Sequence, residues 1–271
     1  MRRLALGCEF RYDAAIPTLA VFQVQPRASE RVRLQAERWA SLPQAALHSY
    51  VDLYGNPCTR VVLPVGRSSF RYDADVEVPD APEEVDEAAR EIPPADLPDE
   101  VLIYTLPSRY CLPDVLGDEA WALFGSRPRG YCRVQAICDH VHSHLTFQYG
   151  STTARSTAAD VYSTRLGVCR DYTHLAISFC RALNIPARYV FGYLPDLDGS
   201  IEPSTMDFAA WMEVWLDDAW WTFDPRNNRP RKGRVVIGCG RDASDVAMAT
   251  TFGGPHLEAM TVRAEEVRPK D

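Results

Sequence analysis

Apolar and polar residues trade places over short distances in the first quarter of the chain. The runs CEFRYD, LAVFQVQP, YVDLYGNPCTRVVLP and SSFRYDADVEV carry β-branched and aromatic residues at strand-like spacing, and YGNPC marks a turn inside the third. This pattern predicts a β-rich domain over residues 1–77. Residues 78–100, VPDAPEEVDEAAREIPPADLPDE, are acidic, proline-rich and poor in large apolar side chains, as in a linker or an extended wrapping segment. Beyond it the period lengthens, and residues 101–271 read as a second unit. GYCRVQAICDHVHSHLTF places Val134, Ile137, Val141 and Leu145 at helical spacing. CRDYTHLAISFCRALNIP is a stronger helix, with Tyr172, Leu175, Ala176, Phe179 and Leu183 on one face and Pro186 as its stop. ARYVFGYL follows as a strand, LPDLDGSIEPST as a polar loop, and AAWMEVWL with AWWTFDP as a hairpin turning at Asp217-Asp218.

Composition narrows the class. Hydrophobic residues make up 46% and charged residues 24% of 271, which suits a soluble globular protein. A net charge of −8 argues against a broad phosphate-binding surface, so nucleic acid is not an expected partner. No apolar run approaches the ~18 residues that span a bilayer, so neither is a membrane. MRRLALGCEFRYD is loosely like a lipoprotein signal, but its apolar run is far shorter than a secretory core. The expectation is a cytoplasmic protein whose eight cysteines are free thiols. No CxxC pair is present, which removes the usual zinc knuckles.

Candidate chemistry gathers in the second unit. Cys169 opens the long helix, where unpaired backbone N–H groups and the positive end of the macrodipole would lower a thiol pKa and favour the nucleophilic thiolate. In the hairpin, Ala210, Met212, Val214 and Leu216 form an apolar face for the core. Ala209, Trp211, Glu213 and Trp215 form the other. A two-residue turn sets Trp211 opposite Asp224 and makes Ala209 the diagonal neighbour of Asp224, roughly 7–8 Å away. Pro225 favours an extended backbone at Asp224, which suits a fixed carboxylate. A helix-borne thiol and an aligning carboxylate are two thirds of a Cys-His-Asp site; the base between them is still to be found.

RLGVCRDYTHLAISFCRALNIPARYVFGY and DFAAWMEVWLDDAWWTFDPRNN resemble the two core motifs of the bacterial transglutaminase-like superfamily. GRVVIGCGRDASDVAMATTFG and the strand-rich start are similar to that family's tail and N-terminal domain. The resemblance implies an α+β fold. A papain-like core, with the cysteine helix packed on an antiparallel sheet, follows a β-rich, sandwich-like domain. It implies Cys169 as nucleophile, Asp224 as the orienting acid, and no cofactor or metal; Trp211, on the same strand face as position 209, is expected to line a substrate groove. The substrate it implies is a peptide, protein or small amide, attacked through a thioester. The family's histidine falls on Ala209, where this chain reads AAW.

An alanine accepts no proton, and loss of a general base costs about 10²–10⁴-fold in rate. Three explanations stay open: an inactivated form of an active enzyme, a natural pseudoenzyme that binds in the same cleft, or a site using another base. Asp207 is a poor base for a thiol and lies two residues from 209. His174 sits about 140° around the helix from Cys169 and reads as a packed helix histidine. Of His140, His142 and His144, only the first and last share a helix face, without ligand-spaced acidic or cysteine partners; a surface helix end is the expectation.

Overall fold

A computed structural model describes residues 1–29, 31–197 and 206–267. The polar loop expected at 194–205 lies outside the described residues from 198 onward.

The four expected N-terminal runs all fall in strands. β1 (Arg2–Ala14), β2 (Thr18–Phe22), β3 (Arg33–Leu42), β4 (His48–Val51), β5 (Pro57–Leu63) and β6 (Gly66–Val78) build two antiparallel sheets. Alternation along β1 turns Leu4, Leu6, Phe10 and Tyr12 inward, and β6 answers with Phe70, Tyr72, Val76 and Val78. Phe22 from the second sheet closes the sandwich, 5.0 Å from Phe10 and 5.6 Å from Phe70 between ring centres. β3 was not expected: it is an edge strand exposed along nearly its whole length, so it carries no inward–outward alternation to read.

The far end of the chain returns to this layer. Of the last strands, β12 (Val235–Gly240), β13 (Ala249–Thr251) and β14 (His256–Glu266), β13 pairs with β2 and β14 with β1. The strand-rich layer therefore extends beyond residues 1–77. The sheets run β14-β1-β6-β3 and β13-β2-β5-β4.

The remaining strands carry the α+β core. β9 (Ala187–Tyr193), β10 (Ala209–Leu216) and β11 (Ala219–Phe223) form the antiparallel sheet β11-β10-β9-β12. Asp217 and Asp218 both take left-handed φ, 44° and 58°, as a tight hairpin turn requires. The observed register, Met212↔Phe223 through Leu216↔Ala219, is that of the expected two-residue turn. On one face of the sheet lies α5 (Cys169–Ala182), against Ala210, Met212, Val214 and Leu216. After the one-turn α1 (Asp99–Leu102), α2 (Gly117–Phe124), α3 (Tyr131–His144) and α4 (Ala158–Thr164) stand around α5. Phe124 and Tyr162 press on Phe179 at 5.4 and 5.7 Å. The helix is thus buried nearly all round from Asp171 to Arg181, not on one face alone. β7 (Thr146–Phe147) and β8 (Leu166–Gly167) form a short parallel pair just before it.

The opposite face of the core sheet meets the β-rich layer. Asn56 clamps the β12 backbone there, accepting from the Cys239 N–H and donating to its carbonyl, both at 2.9 Å. The acidic segment wraps across the junction: the Arg90 N–H donates to Asp217 at 3.0 Å, and Glu83 pairs with Arg234 at 2.5 Å. The architecture is the expected one, a cysteine-bearing helix on an antiparallel sheet beside a β-rich sandwich.

Candidate active site

Cys169 is the first residue of α5, and the geometry around it is set by Asp171. That buried carboxylate accepts from the Val168 N–H at 2.9 Å and the Thr152 hydroxyl at 2.6 Å, while Arg170 pairs with its other oxygen at 2.9 Å. Gly167 permits this approach, because a Cβ there would stand 2.8 Å from the Asp171 Cβ. The glycine and the acid flanking Cys169 thus hold the helix start in place.

Cys169 is half-buried, and the backbone N–H groups of Ala210 and Arg170 favour its anion. The expected low thiol pKa is not found. Burial pushes it above the ordinary 9.0; Arg226 and the two N–H donors oppose this without overcoming it, and Asp207 adds to it. The helix start alone does not hold a thiolate here, because desolvation outweighs a partial charge.

Asp224 immediately follows β11. Its Oδ1 accepts from the backbone N–H groups of Arg226 and Asn227 at 3.0 and 2.9 Å. Its Oδ2 accepts from Asn227 Nδ2 at 2.6 Å and Arg234 Nη2 at 2.7 Å. Burial alone would raise this carboxyl, yet Arg234 and Asn227 hold it below the usual carboxylate range. Asp224 also borders a cavity of about 260 Å³ with Gln135, Asn228 and Arg234.

Two paths join these groups. The backbone of Ala210, next to Ala209, is among the groups that act on the Cys169 thiol. Arg226 gives its N–H to Asp224 and lays its guanidinium 4.0 Å from the centre of the Phe147 ring. Phe147 in turn pairs with Gly167, two residues before Cys169. The hairpin register ends at Met212↔Phe223, the pair next to Trp211 and Asp224. Ala209 itself, the first residue of β10, packs with Val190, Leu194, Trp211 and Cys239 and is 9% exposed.

Trp211 is a correction. It is 0% exposed and does not line an open groove. Its ring lies under the Arg234 guanidinium at 4.8 Å and borders a cavity of about 180 Å³ shared with Val32, Val78, Pro79 and Glu83. The β-rich layer covers the face that strand alternation had left open. Gly192 makes room for the indole: a Cβ there would fall 2.2 Å from the Val235 carbonyl oxygen and 2.7 Å from Trp211. Gly192→Ala is expected to lower stability by roughly 1–3 kcal/mol through overpacking. The urea midpoint should drop with an unchanged slope.

The weighed histidines fall into place separately. His174 is buried between Tyr110 and Tyr189, and its Nε2 accepts from the Ala243 N–H at 3.1 Å, so it is a packed structural histidine. Burial lowers its pKa from 6.5 to about 3, against a partial counter-pull from Asp242. The unfolded chain takes up this proton below about pH 6.5 and the folded chain does not. The contribution is therefore complete above 6.5 and is lost progressively toward pH 3, by up to about 1.4 kcal/mol per pH unit. Urea midpoints taken at pH 7 and pH 5 should differ less in His174→Gln, which keeps an acceptor, than in the parent. His140 and His144 stack at 5.3 Å and are half-buried rather than a free helix end; His142 is exposed and bonds the Arg226 carbonyl at 2.8 Å.

Sequence reasoning missed Arg226, Asn227 and Arg234. The first two follow Asp224-Pro225 directly, a signal available in DPRNN. Arg234 lies ten residues from Asp224 with no periodic relation to it.

Residues 122–225, which include Cys169, Ala209 and Asp224, match the family model of the Transglutaminase-like superfamily. An uncharacterised protein of Mycobacterium leprae is 33% identical over 117 residues, 42% of this chain and 42% of its own length. One of Mycobacterium tuberculosis is 34% identical over 121 residues, 41% of this chain and 38% of its own length. The match spans about two-fifths of each relative. A crystal structure of a candidate cysteine protease from Cytophaga hutchinsonii superposes with a TM-score of 0.90 at 29% identity, covering 100% of this chain and 92% of the other.

Proposed function

From a chain that carries a transglutaminase-like superfamily core at residues 122–225, we propose a thiol acyl-transfer site built on Cys169, with Asp224 as its orienting acid and position 209 as the place of its base. The observations that support this reading are two: the backbone of Ala210, next to position 209, acts on the Cys169 thiol, and Arg226 links Asp224 to the ring beside Gly167. The cysteine protease description of the Cytophaga hutchinsonii protein supports the same chemistry.

With an imidazole at 209, the thiol proton would pass to that ring and the thiolate would add to an amide carbonyl. The C–S bond forms, and the carbonyl oxygen becomes an oxyanion facing backbone N–H groups at the helix start. Collapse breaks the C–N bond, and the imidazolium gives its proton to the departing amine. The thioester then passes its acyl group to water or to a second amine. The substrate class is a peptide, protein or small amide. Eight free thiols suit a reducing compartment, and a cytoplasmic setting is part of the proposal.

With alanine at 209 the first proton has no acceptor, so this chain is strongly impaired. The raised Cys169 thiol favours a second reading, a natural pseudoenzyme that binds a peptide or protein partner without turnover. An intact-mass experiment separates the two. Ala209→His incubated with an activated acyl ester should gain one acyl group on the Cys169 peptide, and Ala209→His with Cys169→Ser should not. No adduct on Cys169 would leave only the binding reading.

A further inference from the structure

Arg226 stands out among the basic residues of the core. Its guanidinium lies 4.0 Å from the centre of the Phe147 ring, and Phe147 sits edge-on to Tyr149 at 5.0 Å, with Tyr149 60% exposed. Its backbone is fixed at both ends: the N–H donates to Asp224 at 3.0 Å, and the carbonyl meets His142 Nδ1 at 2.8 Å. Phe147 pairs with Gly167, so the ring that carries the guanidinium is anchored two residues before Cys169. The other arginines near the site are spoken for. Arg170 pairs with Asp171 at 2.9 Å, and Arg234 pairs with Asp224 and Glu83. Arg226 is half-exposed, and among the described residues no carboxylate forms an ion pair with it. Asp207 is exposed nearby and is the acidic group that acts on both Cys169 and Arg226.

A guanidinium steadied on an aromatic face and left without an internal partner presents a planar fork of donors, the geometry that receives a carboxylate. We propose that Arg226 is a specificity-determining residue of this site, selecting acyl donors that carry a carboxylate next to the carbonyl facing Cys169. Asp207 disfavours negative charge on its own side, so the two groups give the approach a polarity. The inference deepens the acyl-transfer reading and rests on it for the word substrate. The charge preference itself can be read on the thiol without turnover.

Two reagents provide the test. Iodoacetate and iodoacetamide both place a CH₂ carbon on a thiolate and release iodide; they differ in whether the neighbouring group is a carboxylate or a neutral amide. The rates at Cys169 are followed by mass spectrometry of its peptide, with the exposed Cys132 in the same sample as reference. Any change in thiol pKa acts on both reagents and cancels in their ratio. The iodoacetate-to-iodoacetamide ratio at Cys169 is expected to fall roughly fivefold in Arg226→Gln, the factor of a well-screened contact pair. It should stay near the parent value in Arg226→Lys, and rising salt should shrink the parent's preference. The ratio at Cys132 should not move. An unchanged ratio at Cys169 in Arg226→Gln overturns the proposal, as does an equal fall at Cys132, which a local charge cannot cause. Failure here leaves acylation of Cys169 in Ala209→His untouched, so the two readings fail separately.

Discussion

Turnover of a simple ester or amide by Cys169 is expected to rise about 10²–10⁴-fold when Ala209 is replaced by histidine. The parent holds its thiol above the ordinary 9.0 because burial outweighs Arg226 and the N–H groups of Ala210 and Arg170. A raised thiol disfavours the thiolate at neutral pH, and alanine at 209 offers no base to take the proton. An imidazole beside Asp224 would change both facts. Asp224 is already held below the usual carboxylate range, so it is an anion able to stabilise an imidazolium. Its Oδ2 is shared by Asn227 and Arg234, and the new ring N–H would have to join or displace the Asn227 amide. Asp224→Asn in the histidine background should forfeit most of the gain. A histidine variant that folds like the parent, keeps Cys169 open to alkylation and shows no turnover would remove the basis for an acyl-transfer site.

The second large effect is on stability. Arg234→Met is expected to destabilise the fold by roughly 3–5 kcal/mol, the cost of stripping a partner from buried charges. Arg234 lies between Asp224 at 2.7 Å and Glu83 at 2.5 Å, and its plane covers Trp211 at 4.8 Å. Methionine would keep part of that packing but leave two carboxylates of like sign facing each other. Asp224 loses the first cause of its lowered pKa in this variant, so its folded carboxyl rises. In the parent, the stability tied to that lowered value is present above the unfolded pKa of about 3.9 and is lost as pH falls through the folded one. The gap between parent and variant should therefore narrow in acid. Urea unfolding at pH 7 and at about pH 3 measures it, and Asp224→Asn added to Arg234→Met should recover part of the loss. A difference below about 1 kcal/mol at pH 7 would show the arginine is not the counter-charge it resembles.

What could be read ahead of the structure follows from which interactions are local. The hairpin was legible because Asp217-Asp218 lies between alternating strands, and one turn length fixes every cross-strand pair down to Met212. The start of α5 was legible from Gly-Val-Cys and the apolar spacing after it. The environment of Trp211 was not. Its face was assigned correctly, but what covers that face comes from Val78, Pro79 and Glu83, more than a hundred residues away. The same holds for the thiol: a helix start is visible in sequence, whereas the degree of burial that overrides it depends on how far Phe147, Ala210 and Arg226 close in. Residues 249–266 join the first strands rather than the core that precedes them, since an exposed edge strand carries too little alternation to betray its partner.

The rate of Cys169 alkylation against pH, in the parent and in Ala209→His, tests the account most directly. The parent should show one rise, with its midpoint above the ordinary thiol value of 9.0. The histidine variant should add a second limb at neutral pH, where an imidazolium and thiolate share the proton. Two profiles that superpose would contradict a site whose missing part is the base at 209.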